Sequence, residues 1–146
     1  RLFESLLDEN NPLEAETRLV EFLGLMFDSA SEVNLASVQK FGLKPVESIR
    51  DLIMDCLDRN VSLEEFSSHS GLSRYHLVRS FKLAYGQSPH AFQLDQRIKK
   101  AKALLRQGNG LAEIATSLGF ADQSHFQRNF KKRLAVTPKQ YQAFFC

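Results

Sequence analysis

Apolar residues return along this chain at intervals of three and four, the spacing that gathers them on one face of a helix. Ala15, Leu19, Phe22, Leu23, Met26 and Phe27 make one such stripe, and Ile49, Leu52, Ile53, Cys56 and Leu57 make another. No run alternates apolar and polar residues over the length of a strand, so the pattern predicts an all-α fold. Helices are predicted over 1–9 and 12–28 as an N-terminal helical pair, joined at Asn10-Asn11-Pro12 with proline at the first helical position. Residues 29–44, with Ser29, Ser31, Asn34, Ser37 and Gly42, read as a linker that Val33, Leu35, Val38 and Phe41 can pin in places. A further helix is predicted from Pro45 to about Arg59.

Beyond residue 60 the pattern repeats. Leu63, Glu64, Glu65 and Phe66, then Gly71-Leu72, Phe81, Ser88-Pro89 and Phe92 are echoed further on. The echo is Leu111, Ala112, Glu113 and Ile114, then Gly119-Phe120, Phe130, Thr137-Pro138 and Tyr141. The offset is 48 up to the glycine and 49 after it, which places one inserted residue in the second turn. Short helix, glycine turn, second helix is the signature of a helix-turn-helix unit, here predicted at about 63–84 and 111–134. Ser62 with Glu65 forms a predicted capping box, and Ser73 and Asp122 are predicted N-caps of the two second helices. Between the units a long linker helix runs from Ser88-Pro89 to about Gln107, with Gly108 and Gly110 ending it. Its apolar positions are Phe92, Leu94, Ile98, Ala101, Leu104 and Leu105, and its cationic ones Arg97, Lys99, Lys100, Lys102 and Arg106.

Composition narrows the function classes. With 146 residues, 43% hydrophobic, the chain can bury a core and one smaller appendage, and twelve Phe with no Trp suit packed helices. No apolar run approaches the roughly 18 residues a membrane span needs, so no membrane role is expected. Arg rather than Met at position 1 suggests a piece of something longer. Cys56 on its apolar helix face reads as a buried free thiol of a reducing cytoplasm. The net charge of +2 hides a segregation: residues 1–60 carry 6 Lys/Arg against 12 Asp/Glu, and residues 61–146 carry 13 against 5. A basic region that coincides with the repeat is the footprint of a nucleic-acid binder.

The second helix of each unit sorts into two faces. Leu77 and Phe81, like Phe126 and Phe130, are four apart and point to the core. Outward fall Arg74, Tyr75, Val78 and Arg79 in the first, and Gln123, Ser124, Gln127 and Arg128 in the second; these are the candidate base readers. Arginine pairs with guanine O6/N7, glutamine with adenine N6/N7, and valine or tyrosine meets a thymine methyl. His76, Lys82, His125, Lys131, Lys132 and Arg133 are the candidate phosphate contacts, which position a protein without reading sequence.

From about Pro45 to Phe144 the chain resembles the DNA-binding domain of the AraC/XylS family of bacterial transcription regulators. The resemblance rests on Gly119-Phe120-x-Asp122-x-Ser124-x-Phe126-x-Arg128-x-Phe130-Lys131-Lys132 and Thr137-Pro138-x-x-Tyr141. Ser73-x-x-x-Leu77-x-Arg79-x-Phe81-Lys82 and Arg97, Ala101 and Leu104-Leu105 add to it. It implies two helix-turn-helix subdomains, each placing its second helix in a major groove of promoter DNA, in a bacterial cytoplasmic, nucleoid-associated activator or repressor. It also implies RNA polymerase as a partner and any effector ligand bound by a sensing domain absent from this chain. Two positions depart from the family pattern: Ala135 stands where glycine is usual, and Gln142 where a basic residue is frequent. A linker helix of about 19 residues is about 28 Å long, against about 34 Å between successive major-groove faces. One monomer can thus place both recognition helices on one face of the duplex, and if the linking helix holds them rigidly, either the DNA bends or one helix inserts poorly.

Residues 1–28 carry more large apolar side chains than a hairpin buries by itself. Three readings stand open: packing on the DNA-binding domain, loss of a sensing-domain partner, or pairing with another chain. The resemblance favours the last two, the tail of a sensing and dimerisation region that forms a homodimer. Catalysis finds no support. His69, His76, His90 and His125 have no metal-ligand spacing, and there is neither a phosphate-binding glycine loop nor a nucleophile elbow, so no enzyme, metal or cofactor is expected. The alternative to DNA reading is a helical interaction module acting on transcription through protein partners. A DNA-repair protein with its enzymatic domain elsewhere is a third reading, without a reactive cysteine motif behind it.

Overall fold

The structure, a computed structural model, describes residues 12–27 and 42–146, so the helix predicted over 1–9 and nearly all of the linker lie outside the described residues. Every regular element among the described residues is helical, and no helix there is long and apolar enough to cross a membrane. In chain order they are α1 (Pro12–Phe27), α2 (Lys44–Asp55), α3 (Leu63–Ser70), α4 (Arg74–Tyr85), α5 (Pro89–Arg106), α6 (Leu111–Ser117), α7 (Gln123–Leu134) and α8 (Pro138–Ala143). They divide into two compact units, each holding one helix-turn-helix. The first contains α1 to α4 and α5 as far as Phe92; the second contains the segment 56–60, the rest of α5, and α6 to α8.

In the first unit α2, α3 and α4 pack on one another through Val46, Ile49, Ile53, Leu63, Phe66, Leu77 and Phe81, all buried. Phe81, Tyr85 and Phe92 close its end as a triangle of rings with centroids 4.6–5.5 Å apart. In the second unit Leu94, Ile98, Ala101 and Leu105 of α5 meet Ile114, Ala115 and Leu118 of α6 and Phe126 and Phe130 of α7. The four-residue spacing that predicted Leu77/Phe81 and Phe126/Phe130 as core is therefore what buries them. Gly108, at φ 84°, ends α5, whereas Gly110 stands at the start of α6. Gln142 reaches back to the carbonyls of Leu105 and Asn109 at 3.4 and 3.0 Å. This glutamine thus satisfies the end of α5, a use a cation at the same place would share.

One side chain organises the second unit. Arg97 lies on the apolar face of α5, between Leu94 and Ala101, and is only 1% exposed. Its guanidinium donates to the carbonyls of Leu57 (2.9 Å), Arg59 (2.8 Å) and Gly119 (3.2 Å) and to Asn60 Oδ1 (3.1 Å). It also stands 5.7 Å from the centroid of the Phe120 ring. Burial draws its pKa down to about 10, opposed by the Asp58 carboxylate. Gln93, one turn earlier, donates to the carbonyls of Cys56 and Arg59. α2 stops at Asp55 rather than near Arg59, and the carbonyls of the segment that follows are satisfied by α5. Cys56, expected on a buried helix face, accordingly sits half-buried in that segment with a free thiol.

Gly119 is required twice over. Its φ is +66°, and a Cβ there would come within 2.6 Å of both the Arg97 guanidinium and the Asp58 carbonyl. The helix end at Ala135 shows the contrast, a left-handed φ of 62° borne by a residue with a side chain. Ala135→Gly removes that strain at the cost of a looser unfolded chain, and should stabilise the protein by about 0.5–1 kcal/mol in urea unfolding; a loss of stability would contradict the assignment. Arg97→Met strands three carbonyls and should cost about 3 kcal/mol, with Arg97→Lys recovering only part because one ammonium cannot reproduce the fork. A loss below about 1 kcal/mol for Arg97→Met would show that the carbonyls find other donors.

Candidate nucleic-acid interface

The two helix-turn-helix units start from the same local chemistry. Ser73 caps α4 by accepting from the His76 amide, and Asp122 caps α7 by accepting from the His125 amide. The inserted residue is Ala121, between Phe120, which is buried, and Asp122. Its amide would lack a partner in the longer turn, and the His125 ring accepts it at 3.3 Å. His125 is therefore 5% exposed and committed to its own turn, unlike the phosphate contact expected from sequence. Its counterpart His76 is exposed, with its ring Nδ1 2.8 Å from the Ser73 hydroxyl. The matching histidines thus bond differently, His76 to its capping hydroxyl and His125 to the amide of the inserted residue.

On α7, Gln123, Ser124, Arg128, Lys131 and Lys132 are exposed and Gln127 is half-buried. The helix presents amides and a guanidinium toward its N-terminal end and cations at its last turn. Arg133 differs: its Nε donates to Asp95 at 2.6 Å, so this cation is held by α5. The aspartate four residues from Lys99 gave no sequence signal of that pairing, because the partners are 38 positions apart.

On α4 the expected readers are placed differently. Val78, expected outward, is 3% exposed. It stands three residues before Phe81, at the edge of the core stripe, and α1 packs along α4 and α3. Arg74 lies 3.2 Å from Glu16 of α1 and 3.4 Å from Glu64 of α3, and Lys82 lies 3.2 Å from Glu21 of α1. The Tyr75 ring fills the space beside Gly24, where an added Cβ would meet it at 2.6 Å. Arg79 donates to the Tyr75 hydroxyl and stands 5.8 Å from the centroid of its ring. At its start α1 is held by Glu14, which pairs with His90 at 3.4 Å and with Arg18 at 2.6 Å. The His90 hydrogen bond keeps the Glu14 carboxyl ionised down to a pKa of about 2, against the opposing effect of burial.

Tyr75, Val78, Arg79 and Lys82 do come together on one face of α4, as the spacing requires, and with Val20 and Gly24 they line a cleft against α1. For α1 this cover matches the reading in which residues 1–28 pack on the DNA-binding domain, which the sequence left open and the resemblance did not favour. Its trace in the sequence is the pair of carboxylates Glu16 and Glu21, on a helix that also carries Glu14 and Arg18. Among the described residues no group of His, Cys, Asp and Glu is arranged to hold a metal ion.

Residues 66–143 match the family described as helix-turn-helix domain. The chain is 30% identical over 125 residues to the HTH-type transcriptional regulator MtrA of Neisseria gonorrhoeae, covering 84% of this chain and 42% of that protein. It spans less than half the length of the first curated relatives it matches. Among solved structures it is similar to the C-terminal domain of the two-component response regulator YesN from Fusobacterium nucleatum. That match has 34% identity and a TM-score of 0.62, covering 66% of this chain and 95% of the other. It is also similar to the C-terminal domain of the response regulator AraT from Geobacillus stearothermophilus, at 28% identity and a TM-score of 0.65, covering 68% and 84%. With this match over more than half its length, the chain belongs to the helix-turn-helix family of AraC/XylS-type transcription regulators.

Proposed function

We propose that this chain is the DNA-binding part of a transcription regulator, reading double-stranded promoter DNA with α4 and α7 in successive major grooves. The observation that carries the reading is the outward face of α7, where Gln123, Ser124 and Arg128 are exposed on a helix anchored by Phe126 and Phe130. Arg128 and Gln123 have the donor geometry for guanine and adenine edges, and Gln127 lies beside them. Lys131 and Lys132, exposed one turn on, suit the phosphates. His76 and Lys82 would serve the same purpose on α4, with Arg74, Tyr75, Val78 and Arg79 as its base-facing set. The differing outward sets of the two helices favour an asymmetric site with a direction.

The same reading extends to the rest of the protein. A regulator of this family would act in a bacterial cytoplasm, on the nucleoid and beside RNA polymerase, with any effector bound outside this chain. Leu19, Phe22 and Leu23, about half exposed on α1, favour the proposal that residues 1–28 take part in a homodimer.

Selection of bound duplexes from a random pool tests the reading. Arg128→Ala should relax preference at one or two adjacent base pairs, costing about 1–3 kcal/mol on the preferred sequence. Lys131→Ala should weaken all sequences alike and lower the slope of log affinity against log salt by about 0.9. A pool in which no sequence is enriched, or equal loss on every sequence from Arg128→Ala, would refute α7 as a reader.

A further inference from the structure

We propose that α1 is an autoinhibitory helix that occupies the DNA-reading face of α4 and must leave it before that helix can enter a groove. The inference rests on the DNA-reading function proposed above and adds a control to it. Three independent contacts converge on the same face. Glu16 and Glu21 pair with Arg74 and Lys82, so two carboxylates stand where phosphates or base acceptors would otherwise be met. Gly24 admits the Tyr75 ring at a distance no other residue would tolerate without a shift. Val78, at the edge of the Leu77/Phe81 stripe, is buried and lines the cleft between α4 and α1 with Val20 and Gly24.

Geometry makes the two occupants exclusive. The major groove is about 12 Å wide and a helix with its side chains fills about 10–12 Å. Two helices packed about 8–10 Å apart present nearly twice that width and do not fit. The contact is also built to open. Its ion pairs are partly exposed, Lys82 and Arg74 each by about half, and such pairs are weak and weaken further with salt. On the other side of α1, Leu19, Phe22 and Leu23 remain outside the contact, so the helix is not sealed into a core. The Glu14–His90 pair lies at the opposite end from Gly24 and gives α1 a tether about which the cover can be lost first at Glu16–Gly24.

The test measures affinity of the full chain for a duplex taken from the selection, at fixed moderate salt. Glu16→Gln/Glu21→Gln should tighten binding at least fivefold, and Gly24→Leu, which changes no charge, should do so as well. Glu47→Gln/Glu113→Gln, which removes the same charge from exposed sites on α2 and α6, should shift affinity by less than twofold. Arg79→Ala should then weaken the Glu16→Gln/Glu21→Gln protein about tenfold while changing the parent by less than threefold. Circular dichroism of each variant shows whether its helices persist; should Gly24→Leu unfold, the glutamine pair decides alone. The proposal is overturned if the glutamine pair binds no more tightly than its charge-matched control, or if Arg79→Ala costs the same in both backgrounds. Failure of the DNA-reading function looks different: Arg128→Ala then has no effect and no duplex is enriched by any variant, which removes the autoinhibition with it.

Discussion

A buried guanidinium holds the second helix-turn-helix in shape. Arg97 enters the apolar interior of its unit without a carboxylate at hydrogen-bonding distance, and three main-chain carbonyls and an asparagine oxygen take its donors. A cation in low-dielectric surroundings is costly unless each donor is satisfied, and the fork shape of arginine is what reaches four acceptors at once. The arrangement fixes three things together: the turn at Gly119, the position of Phe120 under the cation, and the path of the segment 56–60 against α5. Since α7 begins four residues after Gly119, the direction in which it presents Gln123 and Arg128 depends on that clamp. A glycine is obligatory there because the guanidinium and the Asp58 carbonyl leave no room for a Cβ.

The repeat was legible because its parts are local. Caps, glycine turns and i, i+4 core pairs are set by residues within a few positions of one another, so Ser73, Asp122, Leu77/Phe81 and Phe126/Phe130 were readable as caps and core, and the structure places them so. The insertion at Ala121 was visible as a shift in offset, but its consequence was not. That the His125 ring turns inward to satisfy the extra amide requires knowing which amide lacks a partner. Arg97 shows the same limit from another side. Its place between Leu94 and Ala101 on the apolar stripe was a signal that it is buried, and reading it as one cation among five and as a mark of the family resemblance missed that. The acceptors lie 22 to 40 positions away, and no spacing rule connects them.

The cover over α4 belongs to a third kind. Tyr75, Arg79 and Lys82 of α4 lie off the Leu77/Phe81 face, whereas Val78, expected outward, stands at its edge and is buried; being off the core face of one helix does not mean facing solvent. The acidic first part of the chain, separated in sequence from the basic repeat, has Glu14, Glu16 and Glu21 beside His90, Arg74 and Lys82 in the folded first unit. Charge segregation along the sequence was thus read as the footprint of DNA binding alone, while it also supplies an internal stand-in for the nucleic acid. The outward residues of α7, by contrast, are mostly exposed, with Arg133 tied to Asp95. Two units alike in pattern therefore differ in readiness, one open and one covered.

Protection of guanine N7 from dimethyl sulfate reports major-groove occupancy base by base and separates the two helices directly. On a selected duplex carrying guanines in both halves, the chain as it stands should protect those in the half lost on Arg128→Ala substitution. The Glu16→Gln/Glu21→Gln protein should extend protection to the other half. Equal protection of both halves by the unsubstituted chain, or of neither, would contradict the account of one open and one covered reading helix.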